Sequence, residues 1–153
     1  MSTFETRMNA TRRLLREATE HLENVRALRE NAAPDYSALL TESLLTTRRS
    51  LEGLLTYHGV PFTAETPLRA LVEAAVELAS ILRTPADLAL MLEAQAPALA
   101  GRDPLPITER EAILNGSYAA RDVLTMTLGE LPKSFAEEAR SGESVPDTLT
   151  PSP

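Results

Sequence analysis

The strongest constraint on the fold is a helix-ending signal near the middle of the chain. Leucines recur through residues 36–58 at helical spacing, and their broad apolar face predicts a deeply buried helix. Gly59 follows directly, and Pro61 comes two residues later. Glycine is favoured at the left-handed position that stops a helix, and proline does not continue one. At the other end, Asp35 can cap the start of the helix. We therefore predict a central helix from Tyr36 to about His58 that leads into a loop.

The residues before this central helix have the pattern of one long amphipathic helix, from Thr3 to about Asn31. Its apolar stripe follows alternating steps of four and three residues, which keeps it on one narrow face. A helix with so thin a seam is not stable alone, so we expect it to pack on the domain or on a second copy of the chain. The seam residues expected to pair two copies are Phe4, Met8, Leu15, Leu22 and Val25.

Two start signals follow the central helix. Thr66 suits a cap and Pro67 the first helical position, so a third helix is expected to begin there and to break near Arg83. Residues 84–87 repeat the signal, which predicts a fourth helix that Pro97 ends or kinks. The apolar set expected for this fourth helix is Leu88, Met91, Leu92 and Ala96.

A last long helix is expected to run to about Leu131. Thr108 and Glu111 have the spacing of a capping box at its start, in which each side chain satisfies a free amide of the first turn. Gly116 lowers helix propensity and is expected to mark a kink. Residues 135–140 have the length for one or two further helical turns.

Composition favours an all-α protein. Of the 153 residues, 43% are apolar but only 4% are aromatic, so the core has to come mainly from leucine, alanine, valine and isoleucine. Leucine and alanine are good helix formers, and no alternating pattern typical of strands competes. We expect an up-and-down bundle of four to five helices in one domain over residues 1–140. Residues 141–153 are polar and contain prolines, which predicts a disordered tail.

Charge and residue usage narrow the classes of function. A net charge of −7 disfavours nucleic acid and anionic membranes as partners, although a local basic patch can override it. The chain has no cysteine, which removes thiolate chemistry and suits a cytoplasmic protein. No segment approaches the roughly 20 apolar residues of a membrane span. Neither histidine follows a glutamate by three residues, so we predict no di-iron site, no other metal and no cofactor.

The central hinge resembles part of the HEPN family of small helical bundles. Residues 48–55 look like the amphipathic second helix of that family, and residues 57–61 look like its exit. Residues 66–71 look like its next helix start, except that Thr66 and Pro67 stand where a histidine–aspartate pair is frequent. The resemblance covers roughly residues 36–131 and implies a HEPN-like bundle.

The resemblance also bears on activity. Ribonucleases of the HEPN family carry an arginine, four to six residues and a histidine at the start of a late helix, whereas no histidine follows His58 in this chain. Arg16 and His21 have that spacing, but they lie in the first helix and diverge by about 140° around it, so we interpret them as part of a solvated face. Members that lack the motif act with nucleotidyltransferases, in toxin–antitoxin systems, or as nucleotide- or RNA-binding bundles.

Five residues are candidates for ligand binding: Arg48, Arg49, Tyr118, Arg121 and His58. Neighbouring helices are expected to place the arginines and the tyrosine around one cleft, where guanidinium groups grip phosphate and a ring stacks on a base. The alternative for Arg48 and Arg49 is pairing with Glu52 on their own helix. For His58 the alternative is a capping role, because the helix dipole favours a cation at that end.

Three functions remain open from the sequence. The first is a non-catalytic HEPN-like module that binds a protein partner or a nucleotide. The second is a structural or regulatory homodimer without a ligand, held by the seam of the first helix. The third is a diverged ribonuclease, which would depend on His21 or His58. We expect the first, because the late-helix histidine is missing.

Overall fold

A computed structural model describes residues 3–99 and 105–141 of the protein, and these residues form helices and connecting loops with no strand among them. Six α-helices and one short 3₁₀ turn at Ser80–Leu82 make up the described part of the chain. The helices are α1 Thr3–Arg29, α2 Tyr36–Tyr57, α3 Leu68–Leu78, α4 Arg83–Leu99, α5 Ile107–Gly129 and α6 Lys133–Ser141. The all-α prediction is confirmed. The predicted tail, apart from Ser141 at the end of α6, lies outside the described residues.

Helix α2 lies at the centre of the structure, where it contacts α1, α3, α4 and α5. Both of its ends follow the predicted signals. The Asp35 carboxylate accepts a hydrogen bond from the Ala38 N–H at 3.0 Å, and Gly59 adopts a φ of 74°, which only glycine reaches without strain. Leu39, Leu51 and Leu54 are fully buried along the helix, so the prediction that α2 is deeply buried is confirmed.

The seam of α1 is buried within its own chain. Met8, Leu15, Leu22 and Val25 are at most 7% exposed, and α1 packs along α2 with further contacts to α5 and α6. Phe4 differs from the other seam residues because it is 60% exposed. Of the two expected packings, the structure shows the one on the domain itself. A homodimer stays a prediction, and it would have to use another surface.

The prediction for the start of α3 is wrong by one residue. Pro67 has φ −63° and ψ 149°, so it is the extended cap residue and not the first helical one. Proline fixes φ but leaves ψ free, and therefore suits both positions. The Thr66 hydroxyl does not cap the helix, because it accepts a hydrogen bond from the Thr63 N–H inside the loop.

The break between α3 and α4 was also misplaced. It lies at Ala79, whose extended backbone ends α3, and α4 already begins at Arg83. Pro97 lies inside α4 and does not end it. The predicted apolar face of α4 is partly wrong, because Leu88 and Met91 are 42% and 57% exposed. Leu92 is buried as predicted, and the other buried residues of α4 include Ala86, Ala89, Leu90 and Leu99.

One expectation for α5 is corrected by the structure. Pro106 is the cap residue without a side-chain hydrogen bond, so no capping box forms, and the Thr108 hydroxyl donates to Glu109. Gly116 lies within an uninterrupted helix. A Cβ atom there would be 3.2 Å from Leu92 Cγ and closer still to its Cδ2. Gly116 therefore permits the close approach of α4 and α5.

None of the described helices is both long enough and apolar enough to cross a membrane.

Candidate binding surfaces

The carboxylate of Glu52 lies buried in α2, with only 4% of the residue exposed. Arg48 Nε donates to its Oε2 at 2.8 Å. The remaining nitrogens of Arg48 donate to three carbonyl oxygens of the α2–α3 loop, those of Thr63, Ala64 and Thr66, at 2.8 to 3.2 Å. Arg48 therefore fastens this loop to α2, and every one of its nitrogens is already engaged.

Arg49 joins α2 to α1 through two carboxylates. Its Nη1 donates to Glu52 Oε1 at 2.9 Å, and its Nε lies 3.0 Å from Glu17 Oε1. The buried Nε–H makes no aligned hydrogen bond, so the contact with Glu17 is an attraction of charges rather than a directed bond. The alternative pairing of Arg48 and Arg49 with Glu52 is confirmed.

A shallow cavity of about 450 Å³ opens beside this arginine pair, between α1, α2 and the α2–α3 loop. It adds the guanidinium of Arg13 and the ring of Phe62 to the lining. Arg13 lies 3.9 Å from Glu17 and its side chain is 60% exposed. Arg13 is thus the most accessible cation of the three that line the cavity.

Tyr118 and Arg121 are brought together on α5, but their other neighbour is Arg29 of α1. The guanidinium carbons of Arg29 and Arg121 lie 4.3 and 5.2 Å from the centre of the Tyr118 ring. Arg29 Nη1 also donates to Ser117 Oγ at 3.2 Å, and Arg121 pairs with Asp122 at 3.1 Å. Tyr118 remains 44% exposed.

The two predicted arginine groups therefore have different surroundings. The hydrogen-bond and ion-pair partners of Arg48 and Arg49 include no residue that contacts Tyr118 or Arg121. Sequence reasoning missed Arg29, because its role depends on which helix lies beside α5. The only local signal was its position in the last turn of α1, where the helix dipole favours a cation.

Both histidines contact neighbouring side chains. His58 is the cap residue at the end of α2, and its ring packs edge to face against Tyr57, with centroids 5.1 Å apart. His21 is not part of a solvated face as expected, because its Nδ1 lies 2.7 Å from Glu42 Oε1 on α2. Burial raises the pKa of Glu42, but hydrogen bonds from Asn24 and His21 outweigh it and hold the pKa below its ordinary value.

A larger groove runs between α1, α5 and α6, with a volume of about 790 Å³. Its floor is apolar and consists mainly of the leucines 22, 124, 128 and 131. Its rim is charged and holds more cations than anions. The charged rim residues are Glu23, Arg26, Lys133, Glu137 and Arg140.

The seam between α1 and α5 continues from this groove to Tyr118. The two helices run antiparallel, because Arg29 contacts Ser117 while Leu22, earlier in α1, shares the groove with Leu128, later in α5. Positions 118, 121, 125 and 128 recur at helical steps of three and four, so they share one face of α5. The Arg29–Tyr118–Arg121 cluster is therefore at one end of the groove and α6 at the other.

Within residues 3–99 and 105–141, no group of three or more histidine or acidic side chains has the arrangement of a metal site. No family model, no curated protein and no solved structure matches the chain. Its function has to be argued from the surfaces above, of which the α1–α5–α6 groove is the largest.

Proposed function

We propose that the protein is a non-catalytic, HEPN-like helical module that binds a protein partner in the groove between α1, α5 and α6. The observation that carries the proposal is a floor of leucines inside a basic rim. An amphipathic helix laid into such a groove gains affinity from its apolar face and selectivity from its charges. The partner expected from this chemistry is an amphipathic helix with acidic residues.

The charges of the rim support an acidic partner. The chain as a whole has a net charge of −7, yet the rim offers Arg26, Lys133 and Arg140 against two glutamates. Arg26 pairs with Glu23 at 3.1 Å, whereas Lys133 and Arg140 have no ion pair with any described residue. Both are therefore available for carboxylates that a partner brings.

The HEPN-like part of the proposal is supported by the hinge after α2. Gly59 has the left-handed conformation expected at the exit of the second HEPN helix, and α3 begins soon after the loop that Arg48 holds. The late helix has no histidine to act as a general base. Members of this kind act with toxin–antitoxin or nucleotidyltransferase partners, so an interaction role fits both arguments.

Fluorescence anisotropy with designed helices tests the proposal. Three labelled peptides of about 18 residues, or five turns, would share one leucine face and differ in having acidic, neutral or basic polar faces. We expect the acidic peptide to bind most tightly, and Leu128→Glu or the double change Lys133→Glu with Arg140→Glu to weaken binding at least tenfold. Arg69→Glu, a charge reversal at an exposed position on α3, is the control and should change little.

The proposal fails if the three peptides bind equally, if none binds, or if the control weakens binding as much as the groove variants. Circular dichroism of each variant would show that the helical fold is retained. Light scattering on the same samples measures the molar mass and so tests the homodimer. A second copy seated in the groove would also compete with the peptide, so the apparent peptide affinity would fall as the protein concentration rises.

A second candidate is nucleotide or RNA binding at the cavity between α1 and α2. It is favoured by Arg13, Arg49 and Phe62, which together offer cations for phosphate and a ring for stacking. The same anisotropy experiment with labelled ATP and short single-stranded RNA tests it. Binding that Arg13→Glu abolishes and Leu128→Glu leaves unchanged would support this candidate over the groove.

A further inference from the structure

We infer that Arg29, Tyr118 and Arg121 form a second anchor on the same surface, which receives the carboxylates of an acidic peptide helix about two turns away from its apolar anchor. This inference rests on the proposed function, because it assigns the chemistry and the register of the partner in the groove. It adds a binding site at the end of the α1–α5 seam that is remote from α6.

The geometry of the Arg29–Tyr118–Arg121 cluster supports the second anchor. Two guanidinium groups lie within 5.2 Å of the centre of one aromatic ring. Arg29 is held in place by its hydrogen bond to Ser117, whose hydroxyl in turn donates to the carbonyl of Leu114. Because Arg29 is half-buried and positioned before any ligand arrives, it loses little side-chain freedom on binding.

The positive charge of the cluster also supports the second anchor. Arg121 pairs with the carboxylate of Asp122, but no described acidic residue pairs with Arg29. Two positive charges held near one ring repel each other, and one exposed carboxylate only partly compensates them. An incoming carboxylate would relieve this repulsion and accept charge-assisted hydrogen bonds from nitrogens that the fold leaves open.

The distance from Arg121 to Leu128 along the α1–α5 seam sets the spacing expected in the partner. Arg121 precedes Leu128 by seven residues, which is two helical turns, or about 10 Å. Leu128 lies on the floor of the groove and shares a face of α5 with Arg121. A partner helix lying along this seam would meet the cluster with a side chain about seven residues from its central leucine. The seam thus predicts a spacing between acidic and apolar residues, not merely a net charge.

Peptides of equal composition test the spacing. The first set carries two adjacent glutamates seven residues before or after the anchoring leucine, and the second set carries them two residues further on, which turns them by about 200° around the helix. We expect one member of the first set to bind at least tenfold more tightly than its displaced counterpart. The double variant Arg29→Gln with Arg121→Gln should remove this preference while leaving the weaker binding in place.

The outcomes separate this inference from the proposed function. If no peptide binds, the groove proposal fails. If both spacings bind equally to the native chain, or if the double variant weakens both equally, the second anchor is overturned and the groove proposal stands. Arg69→Gln, at an exposed position on α3, serves as the control for the loss of a surface cation. Displacement of the labelled acidic peptide by an unlabelled peptide of residues 142–153 would assign the groove to that segment of the chain and overturn the inference.

Discussion

Glu52 shows how a single residue fixes the conformation around the hinge. Its carboxylate is buried and accepts hydrogen bonds from Arg48 and Arg49. The other two nitrogens of Arg48 donate to three loop carbonyls. A charge removed from water is tolerated only when such partners replace its hydration. The same two arginines were candidates for phosphate binding. In the structure both neutralise Glu52, and Arg48 also holds the loop.

Glu52→Gln tests this at the residue scale. The amide keeps the shape of the side chain but removes the negative charge, which leaves Arg48 and Arg49 without their shared partner. We expect the free energy of unfolding in urea to fall by about 2 kcal/mol, less than for a fully buried pair because both arginines reach water. The control is Glu17→Gln, whose side chain is 39% exposed and whose loss should cost under about 1 kcal/mol. Equal losses in the two variants would contradict a special role for Glu52.

At the scale of the helices, the approach of α4 to α5 depends on Gly116. Alanine usually raises helix stability by about 1 kcal/mol over glycine, but here its Cβ would displace the buried Leu92 side chain. We expect Gly116→Ala to lower the melting temperature, with a net cost of about 1 kcal/mol because overpacking outweighs propensity. Gly129→Ala, which has open space around it, should be neutral or stabilising. A stabilised Gly116→Ala variant would show that Leu92 moves aside freely.

Helix periodicity predicts elements well when one face is broad and the caps are specific. It identified α1 and α2, and Asp35 and Gly59 at the two ends of α2. It failed on the packing face of α4, where Leu88 and Met91 are exposed and Ala86 and Ala89 are buried. Small residues allow close helix packing, but no pattern in a single sequence says which helix approaches them.

The candidate sites show the same limit. The pairing of Arg48 and Arg49 with Glu52 follows from spacing within one helix, so the sequence alone predicts it. The pairing of Tyr118 with Arg121 also follows from their spacing on α5. The contribution of Arg29, and the groove that α6 completes, depend on contacts between helices that are far apart in sequence. These contacts can be read only from the folded chain.

On the scale of the whole molecule, α6 packs on α1, which is far from it in sequence, and forms one wall of the groove. Its Phe135 is 4% exposed and packs edge to face on Tyr57 of α2, with ring centroids 5.6 Å apart. Arg12 of α1 lies over the Phe135 ring, 5.6 Å from its centre, and pairs with Glu138. Binding in the groove should therefore depend on a residue that does not line it.

Phe135→Ala tests this dependence. Removing the ring should cost about 3 kcal/mol, as for other buried aromatic side chains, and should loosen α6, because the ring makes its contact with Tyr57 of α2. We expect amide exchange over residues 133–141 to become fast while α2 stays protected, and binding of the acidic peptide to weaken at least tenfold. Phe135→Leu, which keeps most of the apolar volume, should retain binding to a large extent. Phe4→Ala is the control, because its ring is 60% exposed. Undiminished peptide binding by a Phe135→Ala variant with a detached α6 would show that α1 and α5 alone form the binding surface.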